Sequence, residues 1–206
     1  MKIAIFSLGV MQTNCYFLIS ESSNECIIVD PGAEFDKIKE KLEKRNLTPK
    51  KVIITHGHFD HIMALSEIRA NYDVEVLIHE LDNELITDPD KSLMKFYVNN
   101  DKGEAPADRL LHDGDTIIFD NTEIRVMHTP GHTPGSCCFI FGKTMICGDT
   151  IFRGNIGRYD FLGGDYESMM KSVEKIKNLP GDYKILPGHG TSTRLDYERE
   201  NNIYMR

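Results

Sequence analysis

The chain has 206 residues, of which 40% are hydrophobic and 27% charged, and its formal net charge is −8. This length and composition predict a single globular domain over residues 1–206. An acidic chain without a basic stripe argues against nucleic acid as a partner, and no apolar run is long enough to cross a membrane. We expect a monomer or a small homo-oligomer.

Five cysteines occur in apolar, strand-like surroundings, at positions 15, 26, 137, 138 and 147. An odd number in such surroundings predicts reduced, buried thiols and a cytoplasmic location. The N-terminal apolar run lacks a small-residue cleavage site, so we do not expect it to be a signal peptide.

The first half of the chain alternates strands and helices. Strands are predicted at 3–8, 15–19 and 26–29, a helix at about 33–46 and a short buried strand at 51–54. Asp30 ends the third strand and has two possible roles, orienting a metal-bound histidine or capping the turn. A helix at 62–70, a strand at 74–79 and a helix from residue 80 follow.

Residues 88–108 form a long, weakly patterned segment. One interpretation is a short helix and loop that overhang the site. The other is a surface excursion packed by Phe96 and Tyr97.

The second half begins with strands at 116–119 and 123–128. A hairpin is predicted from 137–141 and 144–147, then a helix at 165–177, a strand at 184–186 and a terminal helix at 194–204. His79 and His112 are predicted to be surface or hydrogen-bonded core residues, and His128 to be structural, with support of the nearby His132 as its alternative role.

Four possible metal ligands fall in residues 55–61, directly after a buried strand: His56, His58, Asp60 and His61. An extended backbone points His56 and His58 the same way, whereas Asp60 and His61 turn toward a helix start. This predicts two neighbouring metal sites. Imidazole and carboxylate suit zinc, iron or manganese, and the absence of cysteine argues against a closed structural zinc site.

Three more ligand-type residues, His132, Asp149 and His189, each follow a glycine at or soon after the end of an apolar run. Glycine allows the sharp turns such loops need. Seven ligands on strand-end loops predict a binuclear centre.

The ordered motifs HxHxDH, GHTPGS, GDT and PGHG resemble those of the metallo-β-lactamase-fold hydrolases, from the first strand to the last helix. The resemblance implies an α/β fold, a four-layer αββα sandwich with the metal site at one edge between the two sheets. It also implies two divalent cations, zinc or alternatively iron or manganese. His56, His58 and His132 would bind the first, Asp60, His61 and His189 the second, and Asp149 both.

Two such cations about 3.5 to 4 Å apart can share a water and produce hydroxide near neutral pH. Hydroxide attack on a thioester suits this centre, with Asp60 and Asp149 as catalytic residues. The loop at 152–160 resembles that of glyoxalase II-like proteins, in which a cation at the position of Arg158 contacts glutathione. Arg158 could instead form a salt bridge with Asp160 or Asp165.

In this resemblance, Asp160 replaces the glutathione-binding aromatic residue, and the chain stops where full-length glyoxalase II continues into a helical domain. The chain therefore looks more like the short, single-domain glyoxalase II-like hydrolases. The expected substrate is a small thioester, S-lactoylglutathione or another acylated thiol.

Two other functions stay open at this stage. A persulfide dioxygenase of the same fold would hold one iron through His56, His132 and Asp149, although Ser136 stands where those enzymes commonly carry cysteine. A noncatalytic metal-binding module is the other. Asp149 and the absence of a signal peptide argue against a true β-lactamase.

Overall fold

The computed structural model describes residues 1–206 and has fourteen strands and seven α-helices. The strands are β1 Lys2–Leu8, β2 Thr13–Ile19, β3 Glu25–Val29, β4 Thr48–Ile53, β5 Glu75–His79, β6 Arg109–Leu111, β7 Thr116–Phe119, β8 Thr122–His128, β9 Cys137–Phe141, β10 Thr144–Gly148, β11 Ile151–Phe152, β12 Asn155–Ile156, β13 Lys184–Pro187 and β14 Thr193–Arg194. The helices are α1 Phe35–Lys44, α2 Phe59–Ile62, α3 Leu65–Asn71, α4 Asn83–Thr87, α5 Met94–Val98, α6 Tyr166–Lys177 and α7 Leu195–Asn201.

Two mixed six-stranded sheets contain most of the strands. The first has the order β1-β2-β3-β4-β5-β6, antiparallel up to β3 and parallel beyond it. The second has the order β14-β13-β10-β9-β8-β7, in which only the β10–β13 pair is parallel. β11 and β12 form a separate small hairpin that the sequence did not predict.

Alternating side chains along the buried strands produce four layers. In β2, Phe17 packs in the core between the first sheet and its helices, whereas Tyr16 and Leu18 face the second sheet. In β9, Phe139 lies in this same inter-sheet core, and Cys138 faces α6 and α7. Because neighbouring residues of a strand point to opposite faces, each sheet has one face toward the other sheet and one toward helices. The predicted αββα sandwich is confirmed.

Two predicted helices differ in their bounds. The helix predicted at 62–70 is two helices, α2 and α3, because the Ala64 amide donates to the Pro31 carbonyl at 3.0 Å instead of continuing the helix. The terminal helix ends at Asn201, earlier than predicted. The backbone of the next residue, Asn202, is extended, and its side-chain amide donates a hydrogen bond to the Asn155 carbonyl at 2.9 Å.

The five cysteines are buried and unpaired, as predicted. No helix has the length and apolar character needed to span a bilayer.

Loops after β4, β8, β10 and β13 meet at one edge of the sandwich, and together with α2 they carry all the predicted metal ligands. The parallel pairing of β10 with β13 places two of these loops side by side. β2 of the other sheet fixes the last loop, because the Asn14 side-chain amide donates to the carbonyls of Pro187 and Gly190, both at 2.9 Å. The edge is therefore built from both sheets.

Candidate metal centre

The structure brings the seven predicted ligands into one cluster. They form three overlapping triads whose ligand atoms lie within 4.8 Å of one another: His56, His58 and His132; His56, His61 and Asp149; Asp60, His61 and His189. The first and third triads are the two sets that the motif resemblance implies.

Asp149 lies between these two sets. Its Oδ1 is 3.6 Å from His61 Nε2, and its Oδ2 is 3.7 Å from His132 Nε2 and 3.5 Å from His189 Nε2. One carboxylate therefore faces a member of the first triad and members of the third.

The cluster fits divalent cations because it leaves buried polar atoms unpaired. His56 Nε2, His58 Nε2, His61 Nε2 and Asp149 Oδ1 are buried without a hydrogen-bond partner. Buried polar atoms nearly always have partners, and imidazole nitrogen with carboxylate oxygen is a donor set suited to zinc and iron. In addition, His58 Nδ1 and His132 Nε2 lie only 2.9 Å apart, close enough to bind one cation.

Four of the five histidines use Nδ1 to donate a hydrogen bond outward. The acceptors are Thr55 Oγ1 for His56 at 3.2 Å, Asp30 Oδ2 for His61 at 2.9 Å, the Arg158 carbonyl for His132 at 2.7 Å and the Met11 carbonyl for His189 at 3.1 Å. With the proton on Nδ1, the Nε2 lone pair faces the cluster. These contacts orient each ring for metal binding.

The Asp30 side chain contacts a candidate ligand, as one of its two interpretations predicted, and the turn it caps is the one after β4, not the one after β3. Its carboxylate accepts from the Thr55 amide at 2.8 Å, from Thr55 Oγ1 at 2.7 Å and from His61 Nδ1. It therefore shapes the turn after β4 and orients a candidate ligand.

Burial and charge act differently on the two sets of imidazoles. Burial, followed by neighbouring histidines, holds the pKa of His56 well below its ordinary value. For His61, burial lowers the pKa, but Asp60 and Asp30 outweigh it and raise the pKa to about 10. The carboxylates thus make one half of the cluster favourable for positive charge, which a proton or a cation can supply.

Two residues of the site carried no signal in the sequence. Asp82 is buried and accepts from the Gly57 amide at 2.9 Å and the Gly135 amide at 2.6 Å, so it joins two ligand-bearing loops. Thr13 Oγ1 donates to Asp60 Oδ2 at 2.9 Å. Neither residue belongs to a motif, and their contacts cross 53 and 47 positions of the chain.

A cavity of about 400 Å³ opens onto the cluster. Five of the candidate ligands lie in its wall together with Arg158 and six apolar side chains: Met11, Phe59, Leu93, Tyr97, Phe152 and Phe161.

The segment at 88–108 overhangs the site, as one of the two interpretations predicted. It contains α5, and Leu93 and Tyr97 line the cavity. The Tyr97 ring stacks on Phe59 with a centroid distance of 4.9 Å, whereas Phe96 is exposed and packs little.

Arg158 forms the salt bridge that one of its two interpretations predicted, and its contact with a substrate stays a prediction. It lines the cavity, and its guanidinium forms a bidentate salt bridge with Asp160, with N–O distances of 2.9 and 3.0 Å. The guanidinium also lies over the Phe161 ring, 4.0 Å from its centroid.

The other three histidines lie outside the cluster. His79 and His128 stack on each other, with ring centroids 4.0 Å apart, and His128 Nε2 donates to the Pro134 carbonyl at 2.8 Å. His112 is exposed beside Glu80.

Comparison with known proteins identifies the family. Residues 8–189 match the Metallo-beta-lactamase superfamily. The chain is 34% identical over 208 residues to "Probable metallo-hydrolase YqgX" of Bacillus subtilis. It is 32% identical over 209 residues to "Hydroxyacylglutathione hydrolase GloC" of Haemophilus influenzae. Each alignment covers 100% of this chain and 98% of the relative.

Solved structures agree with this match. The BLEG-1 B3 metallo-beta-lactamase superposes with a TM-score of 0.93 at 31% identity, covering 99% of both chains. TTHA1623 in a di-iron-bound form superposes with a TM-score of 0.85 at 30% identity, covering 98% of this chain and 99% of the other. The protein described here belongs to the metallo-beta-lactamase superfamily.

Proposed function

We propose that the protein is a metal-dependent hydrolase that cleaves a small thioester, S-lactoylglutathione or another acylated thiol. The observation that carries this proposal is the convergence of seven candidate ligands at the wall of an open cavity. Membership of a superfamily rich in hydrolases and the similarity to a hydroxyacylglutathione hydrolase support it. In this proposal the substrate is a small molecule, with no nucleic acid or membrane involved.

Two divalent cations fit the cluster. His56, His58 and His132 would hold one, and Asp60, His61 and His189 the other, while Asp149 would contact both. Zinc suits the nitrogen and oxygen donors, and the di-iron form of a similar protein supports iron as the alternative.

When bound, such a pair supplies an activated water and a Lewis acid for the thioester carbonyl. Asp60 is suited to orient the attacking water. Thr13 and His189 hold its Oδ2, with His189 Nε2 at 3.1 Å, and leave Oδ1 free to accept a hydrogen bond. Asp149 places a second carboxylate between the triads. Arg158 lines the cavity wall, and in this proposal it would contact the thiol part of the substrate.

The test combines elemental analysis of natively purified protein with three assays: S-lactoylglutathione hydrolysis, oxygen uptake with glutathione persulfide, and hydrolysis of a chromogenic cephalosporin. We expect about two metals per chain and thioester turnover. Asp149→Ala should lose metal and most of the turnover, and Asp120→Ala, a carboxylate outside the site, should retain both.

Other results would replace the proposal. One iron per chain with oxygen consumption would identify a dioxygenase, and turnover confined to the cephalosporin would identify a β-lactamase. Metal binding without any of the three activities would favour a noncatalytic module. Wild-type metal content in the Asp149→Ala variant would contradict the assigned ligand set.

A further inference from the structure

Five separate segments contribute the apolar wall of the cavity, two of them being α2 with Phe59 and β11 with Phe152. Met11 comes from the turn between β1 and β2, Leu93 and Tyr97 from α5 and its N-terminal cap, and Phe161 from the loop before α6. Large apolar and aromatic side chains from unrelated parts of the chain thus surround one opening. Such a lining is typical of sites that bind an apolar group.

The part of this wall formed by α5 is held against the metal-binding loop. Phe59, between two candidate ligands, donates its backbone N–H to the Ser92 carbonyl at 2.9 Å, and its ring stacks on Tyr97 at an interplanar angle of 10°. Leu93 has a φ of 65°, a left-handed conformation that a leucine rarely adopts. The fold maintains this unfavourable conformation at a residue that lines the cavity.

The charge of the cavity favours an uncharged ligand. Arg158 is the only lysine or arginine in the lining, and Asp160 already balances its charge through the bidentate salt bridge. The protein as a whole carries a net charge of −8. Away from the candidate metal centre, a thiol with two carboxylates, such as glutathione, would therefore meet no unpaired lysine or arginine side chain in the lining.

We propose that the preferred substrates are thioesters whose thioester group carries an extended, uncharged apolar chain. This inference rests on the proposed thioester hydrolysis and deepens it. Water hydrolyses the thioester: its oxygen forms a bond to the acyl carbon, and the C–S bond breaks. The products are a carboxylic acid and a thiol, whose sulfur takes up a proton from the water. The apolar chain lies along Phe59, Leu93, Tyr97 and Phe161. It belongs to either the acyl group or the thiol, and the two arms of the test separate these sources.

In the first arm, kcat/KM is measured for straight-chain N-acetylcysteamine thioesters from acetyl to octanoyl. In the second, the acetyl group is kept and the alkyl chain of the thiol is lengthened. Burial of one methylene contributes roughly 0.8 kcal/mol, so we expect kcat/KM to rise about two- to fourfold per methylene in one arm. A flat or falling series in both arms would overturn the proposal.

Glutathione thioesters of the same acyl groups test the charge argument. We expect them to react at least tenfold more slowly than the N-acetylcysteamine thioesters. Asp160→Asn releases the Arg158 guanidinium and should raise the glutathione to N-acetylcysteamine ratio about fivefold. A wild-type preference for glutathione thioesters would contradict the inference.

Leu93→Asn tests the wall directly, because asparagine tolerates the left-handed conformation and should preserve the fold. We expect it to reduce the dependence on chain length. Ile118→Thr changes an exposed apolar residue on β7, outside the cavity lining, and should retain this dependence. If kcat/KM of Leu93→Asn depended on chain length as strongly as that of the wild type, Leu93 would not contact the chain and the assignment would be overturned.

Binding of thioethers that cannot be hydrolysed separates this inference from the proposed function. If no thioester is cleaved, the proposed hydrolysis fails, yet calorimetry with S-octyl-N-acetylcysteamine and S-octylglutathione still tests the cavity. Tighter binding of the octyl than of the methyl analogue, and of the uncharged than of the glutathione conjugate, supports the apolar site. Equal binding overturns it.

Discussion

Replacing Asp30 by asparagine is a sharp test of how the site is oriented. Asp30 is fully buried and accepts three hydrogen bonds, two from Thr55 and one from His61 Nδ1. Its φ is 50°, a conformation that asparagine also adopts readily, so Asp30→Asn keeps the size and backbone of the residue. The change replaces one acceptor oxygen by an NH₂ donor.

Either orientation of the asparagine amide conflicts with its surroundings. If the NH₂ group faces His61, Nδ1 must accept a hydrogen bond, which moves the ring proton to Nε2 and blocks the ligand lone pair. If it faces the Thr55 amide, two donors meet in a buried site, which costs about 1 to 3 kcal/mol. Loss of such outer contacts typically lowers metal affinity about 10- to 100-fold, equivalent to about 1.4 to 2.7 kcal/mol.

The assay is competitive zinc titration against a chromogenic chelator, with circular dichroism to verify folding. We expect the affinity for the zinc ion held by Asp60, His61 and His189 to fall 10- to 100-fold. The affinity for the other zinc ion should change much less. Asp120→Asn is the matched control, since Asp120 also has a positive φ of 55° and accepts several hydrogen bonds but lies outside the site. Wild-type affinity for both zinc ions in folded Asp30→Asn would refute this account of His61.

Three further predictions address other parts of the protein. Thr13→Val removes the hydroxyl that donates a hydrogen bond to Asp60, so we expect weaker binding of one metal ion and a lower kcat. Thr13→Ser keeps a hydroxyl and should restore both. Metal affinity by calorimetry and a kcat that match wild type in Thr13→Val would argue against this role. A Cβ at Gly188 would lie 2.1 Å from an Asp149 oxygen, so Gly188→Ala should lose metal by elemental analysis. Gly190→Asn, where nothing lies within 4 Å of such a Cβ, should retain it. Burial lowers the pKa of His79 to about 4, so the unfolded state binds more protons between about pH 4 and 6.5, and stability should fall as pH falls through this range. Urea unfolding of metal-free protein at pH 7 and 5 should show a smaller loss for His79→Asn than for wild type, and equal losses would show that another group controls it.

Four of the seven candidate ligands could be grouped from the sequence because they lie within six residues, and the structure brings all seven into one cluster. His56 and His58 lie in the loop that follows β4 and share one triad, whereas Asp60 and His61 lie in α2 and share another, although His61 also lies close to His56. A period of two in β2 and β9 assigned side chains to two opposite faces, which produces the layered fold.

The contacts that orient the ligands could not be found this way. Asp82 reaches the Gly135 amide 53 positions along the chain, and the Met11 carbonyl meets His189 across 178 positions. These contacts depend on how the two sheets and their loops pack, and no local pattern encodes such a distance. The break between α2 and α3 has the same cause, since the Ala64 amide between them donates to the Pro31 carbonyl from another part of the chain.

The sequence by itself thus indicated the types of candidate ligand and the alternation of buried strands, because these follow from residue chemistry and from a period of two, whereas the motif resemblance implied the full grouping of the ligands and the four-layer architecture. Only the tertiary structure decided the shape and charge of the cavity. It placed Leu93 and Tyr97 over the site and paired Arg158 with Asp160 at its wall. The physical reason is that ligand identity is a property of single side chains, whereas a binding surface is formed by segments that meet only after the two sheets have packed.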